Sequence, residues 1–139
     1  MVGDGEVLRV GNLAITAHLT PGHTPGGTTW TWRSCEQDRC LDIVYADSFS
    51  AVSAPGFRFT GDDMHPGIVD QFRRSIGIVD KLPCDILLST HPGFSDMDGR
   101  LERRAQGAIP DPFIDTQACH AYANDSGRRL DKRIEEEKR

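Results

Sequence analysis

A run of apolar residues at helical spacing in the middle of the chain constrains the fold most strongly. Its members are Ile68, Phe72, Ile76, Val79 and Leu82. Steps of four and three place all five on one face of a helix, and Pro83 ends the pattern. The spacing therefore predicts a helix from about residue 66 to 82 that must bury one face against another element.

Short β-leaning segments surround this helix. They cover residues 6–10, 13–19, 28–33 and 41–46 before it and 85–89 after it. Gly11-Asn12 between the first two is a turn signal that predicts a hairpin. A polar helical stretch near 98–107 and a last helix from about 115, interrupted near Ser126-Gly127, complete the prediction. Strands and helices with apolar faces predict a layered α/β architecture over a single domain, residues 1–139.

Composition limits the classes of partner. The chain has 139 residues and a formal net charge of −5, which argues against nucleic acid as a partner because that usually requires a basic patch. No apolar run approaches the length of a membrane span, so no span is predicted. The first residues, MVGDGEVLRVGN, lack a basic start and apolar core, so no secretory signal is expected in this chain.

Two of the five histidines follow predicted strands and precede Pro-Gly turns. His23 lies in His-Thr-Pro-Gly-Gly, and His91 in His-Pro-Gly after the apolar strand. Such loops can hold a neutral imidazole rigidly at the mouth of a cleft, which suits a zinc ligand. The alternative is a pair of loop histidines with ordinary hydrogen bonds. His18, His65 and His120 have no comparable setting and are interpreted as structural or exposed.

A polar segment follows the strand at 41–46. Asp47 can brace a metal ligand, while Ser48 and Ser50 can orient water or hold a substrate carboxylate. The alternative is a turn whose Asp and Ser side chains satisfy backbone groups.

The four cysteines allow two bridges. Cys35 and Cys40 close the loop between two predicted antiparallel strands, so their side chains can meet. A bridge from Cys84 to Cys119 would staple the last helix to the sheet. Four free thiols remain the alternative, and a single Cys-x4-Cys pair is a poor zinc-knuckle candidate.

Taken together and in order, these segments resemble the C-terminal half of the subclass B3 metallo-β-lactamases. The segments are HTPGGT, YADSFSAVSAPG, HPGIVDQFRRSI, LPCDILLSTHPG and CHAYAND. The resemblance covers nearly the whole chain and implies half of an αβ/βα sandwich, a mixed sheet covered by helices that is incomplete without the N-terminal half.

The family resemblance also implies roles for individual residues. His23 corresponds to the last ligand of a three-histidine zinc site, and His91 to a ligand of the second zinc. Ser48 and Ser50 correspond to serines that hold a water and the carboxylate of the β-lactam substrate. Both cysteine pairs, Cys35–Cys40 and Cys84–Cys119, correspond to disulfides of the family, which implies a periplasmic or secreted setting.

One family feature is absent from the sequence. Subclass B3 enzymes carry a His-x-His-x-Asp-His motif that supplies four of the six protein ligands, and none of the five histidines here forms His-x-His. A catalytic zinc normally has three protein ligands, so the expectation is a partial or absent zinc site and a fragment that is inactive alone. No catalytic residue is assigned, and pairing with the N-terminal half or self-association is expected.

Two alternatives remain from the sequence. A glyoxalase-II-like thioesterase shares the superfold and its His-x-Pro-Gly element, although the ADSFS segment and the cysteine pattern favour the lactamases. A metal-free interaction module or pseudoenzyme fragment would instead use its open face to bind another chain and would not depend on His23 and His91.

Overall fold

The computed structural model describes residues 1–139 and contains one sheet, three α-helices and a short 3₁₀ helix. In chain order the elements are β1 Val7–Val10, β2 Leu13–Leu19, β3 Thr28–Glu36, β4 Arg39–Ala46, α1 Val69–Asp80, β5 Ile86–Ser89, the 3₁₀ helix Pro92–Ser95, α2 Met97–Ala105 and α3 Ala118–Glu137. None of the helices is both long and apolar enough to cross a membrane.

The five strands lie side by side in chain order. Strands β1 to β4 are antiparallel neighbours, whereas β5 runs parallel to β4. A parallel pair needs a crossover connection, and α1 provides it between β4 and β5. The sheet is therefore mixed, as the sequence predicted, and β2, β4 and β5 all end at the same edge.

The β3–β4 hairpin is longer than predicted. The segment interpreted as a polar connector, residues 34–40, continues both strands and leaves only Gln37-Asp38 as the turn. Cys35 and Cys40 are directly paired in the ladder, with Cα atoms 4.0 Å apart, and form a disulfide. The covalent link across the ladder holds these polar residues in strand geometry, a constraint that polarity alone does not reveal.

The helix boundaries also differ from the prediction. Helix α1 begins at Val69, and the amide of Ile68 just before it donates to the Phe59 carbonyl at 2.9 Å, which ties the start of the helix to the preceding loop. Helix α3 begins at Ala118 and is continuous through Ser126-Gly127, so the predicted interruption is wrong. The Ser126 hydroxyl donates to the Tyr122 carbonyl one turn earlier at 2.8 Å, so its polar group is satisfied within the helix.

The core lies between one face of the sheet and helices α1 and α3. Its fully buried members include Val44 from β4 and Phe72 from α1, with Tyr122 and Leu130 from α3. Phe49 packs against both Phe72 and Tyr122, with ring centroids 5.9 and 5.8 Å apart. A second disulfide, Cys84–Cys119, fixes the start of α3 beside the segment that leads into β5.

The opposite face of the sheet carries apolar side chains that the chain covers only in part. We call this surface the open face, and its large apolar members are Trp32, Leu41, Ile43, Ile86 and Leu88. They border a hollow of about 520 Å³ whose far side is formed by Leu101, Phe113 and Ile114. The chain is thus one sheet-and-helix layer pair, which is half of the predicted sandwich.

Candidate active site

Strands β2, β4 and β5 run in the same direction, and their ends bring the sequence-predicted site residues together. His23 lies in the loop after β2, Asp47 directly follows β4, and His91 follows β5. Ser48 and Ser50 follow Asp47 in the same loop, and both are buried. Loops that are separated by 24 residues, from His23 to Asp47, and by 44 residues, from Asp47 to His91, therefore meet at one edge of the sheet.

His23 is held by a single directional contact. Its Nδ1 lies 2.8 Å from the Ser50 carbonyl oxygen, which can only accept a hydrogen bond, so Nδ1 carries the proton. Nε2 of a neutral His23 is then left with a lone pair. A backbone carbonyl that fixes the tautomer in this way is typical of metal-binding histidines.

His91 lies across the site from His23. The two ring centroids are 6.4 Å apart, and Phe94 packs edge-on against His91 at 5.5 Å. The Ser89 hydroxyl donates to the His91 carbonyl at 2.7 Å, which fixes the backbone at the start of the 3₁₀ helix. The imidazole itself is exposed, in contrast to the half-buried His23.

The two predicted substrate-binding serines lie deeper than the histidines. Ser48 is 4% exposed and Ser50 is 8% exposed. The Ser50 amide donates to the Ser48 hydroxyl oxygen at 3.3 Å, while the Ser50 carbonyl holds His23. Ser50 therefore links the serine pair to the imidazole through its backbone.

Asp47 is fixed by its backbone, and its carboxylate is confined. The Thr29 hydroxyl accepts from its amide at 3.3 Å, and the Tyr122 hydroxyl donates to its carbonyl at 2.8 Å. Its Oδ2 atom is buried without a hydrogen-bond partner in the protein. A Cβ atom on Gly27 would lie 2.4 Å from this oxygen, so any other residue at position 27 would clash with the carboxylate.

The donor set of the chain is incomplete for a closed metal site. No group of three or more His, Cys, Asp or Glu side chains is placed to hold one ion. His23 and His91 suit neutral imidazole ligands, but a catalytic zinc normally has three protein ligands. The residues present therefore fit part of a zinc site.

Solved metallo-β-lactamase structures match the chain in sequence and in fold. The Rm3 metallo-β-lactamase is 47% identical with a TM-score of 0.94, and the match covers 100% of this chain and 51% of Rm3. MEM-A1, a subclass B3 enzyme isolated from a soil metagenome library, is 45% identical with a TM-score of 0.90, covering 98% of this chain and 51% of MEM-A1. SMB-1, solved with bound 2-mercaptoethanesulfonate, is 46% identical with a TM-score of 0.89 over the same shares of the two chains.

The chain belongs to the subclass B3 metallo-β-lactamases. This B3 chain spans about half the length of the structures that it matches. A comparison with models of known protein families gave no match. The incomplete donor set and the open face are both consistent with half of the B3 fold.

Sequence reasoning missed three residues that shape this B3 site. Tyr122 supports the Asp47 carbonyl, Phe94 packs on His91, and the Arg129 guanidinium lies 4.2 Å from the Phe94 ring centroid. Burial raises the pKa of Tyr122 to about 12, so its hydroxyl stays protonated as a donor at neutral pH. The CHAYAND segment contained Tyr122, but its link to Asp47 depends on how α3 packs.

Proposed function

We propose that this chain supplies one half of the active site of a zinc-dependent hydrolase of β-lactam antibiotics, and that residues outside these 139 supply the remaining zinc ligands. The observation that supports this most is the arrangement of His23 and His91. Their ring centroids lie 6.4 Å apart at one sheet edge with the rings nearly perpendicular, and the Nδ1 of His23 donates to the Ser50 carbonyl.

The two histidines have separate roles in this proposal. His23 offers Nε2 to one zinc, with its ring fixed from behind, and the exposed His91 contributes to a second zinc. Bound zinc would supply Lewis acidity toward the lactam carbonyl and would lower the pKa of water toward 7. The buried carboxylate oxygen of Asp47 makes no hydrogen bond to either imidazole, and the Asp47 backbone, bonded to Thr29 and Tyr122, holds the loop that carries Ser48 and Ser50.

Ser48 and Ser50 are the proposed contacts for the substrate carboxylate. Both serines are buried, and Ser50 contacts His23 through its backbone carbonyl, so a hydrogen bond from these hydroxyls to an anion would form in a setting of low dielectric constant. Because Ser50 holds His23 through its backbone, a carboxylate bound there would be placed at a fixed distance from the metal side of the imidazole.

The open face is the proposed contact surface for the other half of the fold. Its apolar side chains include Trp32, Ile43 and Leu88, which would be costly to leave in water. The same half would bring the missing ligands to the edge where His23 and His91 lie. An oxidising compartment, such as the periplasm or the exterior, is also proposed, and the two disulfides support it.

Zinc binding by the chain alone tests the ligand assignment. We expect competition with a chromophoric chelator to show weak zinc binding, reduced about tenfold or more by His23→Ala or by His91→Ala, because each removes one of two ligands. His120→Ala is the matched control, since His120 is an exposed histidine paired with Asp80 on α1. Equal zinc affinity in all four proteins would contradict the assignment.

A further inference from the structure

A groove of about 290 Å³ lies directly beside the candidate site. It runs between the loop that begins at Ser50 and the outer side of α3. Phe94 forms one wall, and the helix side is lined by three cations and one carboxylate, Arg129, Lys132, Arg133 and Glu136. Ser50 belongs both to this groove and to the contact with His23, so the groove and the site are continuous.

Arg129 is the cation of this groove that has no carboxylate partner. Its guanidinium stacks over the Phe94 ring at 4.2 Å, and one Nη2 hydrogen bond at 2.9 Å goes to the neutral Ser126 hydroxyl. The Nε atom is buried and donates to no acceptor in the protein. Arg129 therefore carries an unpaired positive charge and unused hydrogen-bond donors at a partly buried position, which favours an anionic ligand.

The neighbouring cations differ from Arg129 in this respect. Arg133 pairs with the buried Glu137 at 2.9 Å and also donates to Ser53 and to the Phe57 carbonyl, so its charge is neutralised within the protein. Lys132 lies 4.0 Å from Glu136, and both side chains are largely exposed. The net charge of the groove is therefore positive, and it is centred on Arg129.

We propose that this groove is a second anion subsite, which takes a carboxylate carried on the side chain of a β-lactam. The inference rests on the proposed function, because it places the groove next to the serines assigned to the ring carboxylate. Phe94 contacts both His91 and Arg129, so its ring lies between the guanidinium and the proposed zinc ligand His91. Arginine presents paired donors whose geometry matches a carboxylate.

Two penicillins that differ by a single carboxylate test this subsite. Carbenicillin is benzylpenicillin with a carboxylate on its side chain. We expect NMR titration of the metal-free chain, in EDTA, to show about fivefold tighter binding of carbenicillin, the ratio that about 1 kcal/mol from one partly exposed charge contact provides. Amide shifts for carbenicillin should centre on residues 50–53 and 94, and salt should reduce the difference.

Substitutions on adjacent positions of α3 identify the cation responsible. Arg129→Gln should bring the two affinities together, while Arg129→Lys should keep part of the difference. Arg128→Gln is the matched control, because Arg128 pairs with Asp125 and lies away from the groove, and it should change nothing. An unchanged amide spectrum elsewhere in each variant establishes that the fold is retained.

Three results would overturn the subsite. They are equal binding of the two penicillins, a difference that survives Arg129→Gln, and absence of any carbenicillin binding at about 20 mM, where contacts of millimolar affinity are nearly saturated. None of these depends on zinc or on turnover. Failure of the proposed hydrolase activity would leave the binding difference measurable, so the two proposals fail separately.

Discussion

Glu137 shows how one residue near the end of α3 holds the loop that follows the site serines. Its carboxylate accepts from the amides of Phe59 and Thr60, each at 2.9 Å, and from the Thr60 hydroxyl and Arg133. Burial alone would raise the pKa of Glu137, but these hydrogen bonds outweigh it and lower the pKa to about 2. These contacts span 78 and 77 residues of sequence, and nothing in the charged tail DKRIEEEKR indicates which glutamate makes them.

The lowered pKa of Glu137 gives a pH prediction. A folded pKa below the unfolded value means that the carboxylate contributes stability at pH 7 and that this contribution is lost as pH falls from about 5 toward 2. Glu137→Gln should therefore lower the free energy of unfolding by about 1–2 kcal/mol at pH 7 and by much less near pH 2.5. Urea denaturation at several pH values measures this, with the neighbouring Glu136→Gln as the control. A pH-independent difference between wild type and Glu137→Gln would contradict the assignment.

Among the site residues, the sequence was most informative where a motif coincided with a strand end. His23, Asp47, Ser48, Ser50 and His91 were singled out in this way, and the structure brings all five to one edge of the sheet. Arg129 and Phe94 were not, because their contact depends on the rotation of α3 relative to the 3₁₀ helix. Phe94 and Arg129 are 35 residues apart, so no local sequence pattern indicates that they are in contact.

At the scale of elements, helix α1 and the five strands lie near the positions that the sequence predicted, and one disulfide explains the largest departure. The β3–β4 ladder continues through polar residues because Cys35 and Cys40 pair across it. Helix α3 passes through Ser126-Gly127 because Ser126 is buried and satisfied by Tyr122. Local propensity was overridden by tertiary contacts in both cases.

The two disulfides should contribute unequally to stability. Cys84–Cys119 closes a loop with a sequence separation of 35, whereas Cys35–Cys40 closes one of 5 within a hairpin. In the chain-entropy treatment, the long loop is worth about 4 kcal/mol and the short one about 2 kcal/mol. Replacing each pair with serine and comparing urea midpoints measures the difference. Greater destabilisation from loss of Cys35–Cys40 would contradict this order.

For the molecule as a whole, the two faces of the sheet should respond differently to the same substitution. Ile43 points to the open face and Val44, which is fully buried, to the core. Ile43→Thr should reduce self-association and the binding of an apolar dye with a stability change of less than about 1 kcal/mol, whereas Val44→Thr should cost about 1–3 kcal/mol. Sedimentation and urea denaturation of both variants measure these effects. Equal destabilisation by the two substitutions would show that the open face is covered in the isolated chain.

If the chain holds half of a zinc site, restoring the other half in a fused enzyme should restore activity. The N-terminal half of Rm3, joined ahead of residue 1, would supply the missing sheet layer. Carbapenem hydrolysis is then measured with zinc and with EDTA for this chain, for the fusion, and for the fusion with His23→Ala. We predict no hydrolysis above background by the chain alone and EDTA-sensitive hydrolysis by the fusion that His23→Ala abolishes. EDTA-sensitive turnover by the chain alone, or a folded, zinc-loaded fusion without activity, would contradict the claim.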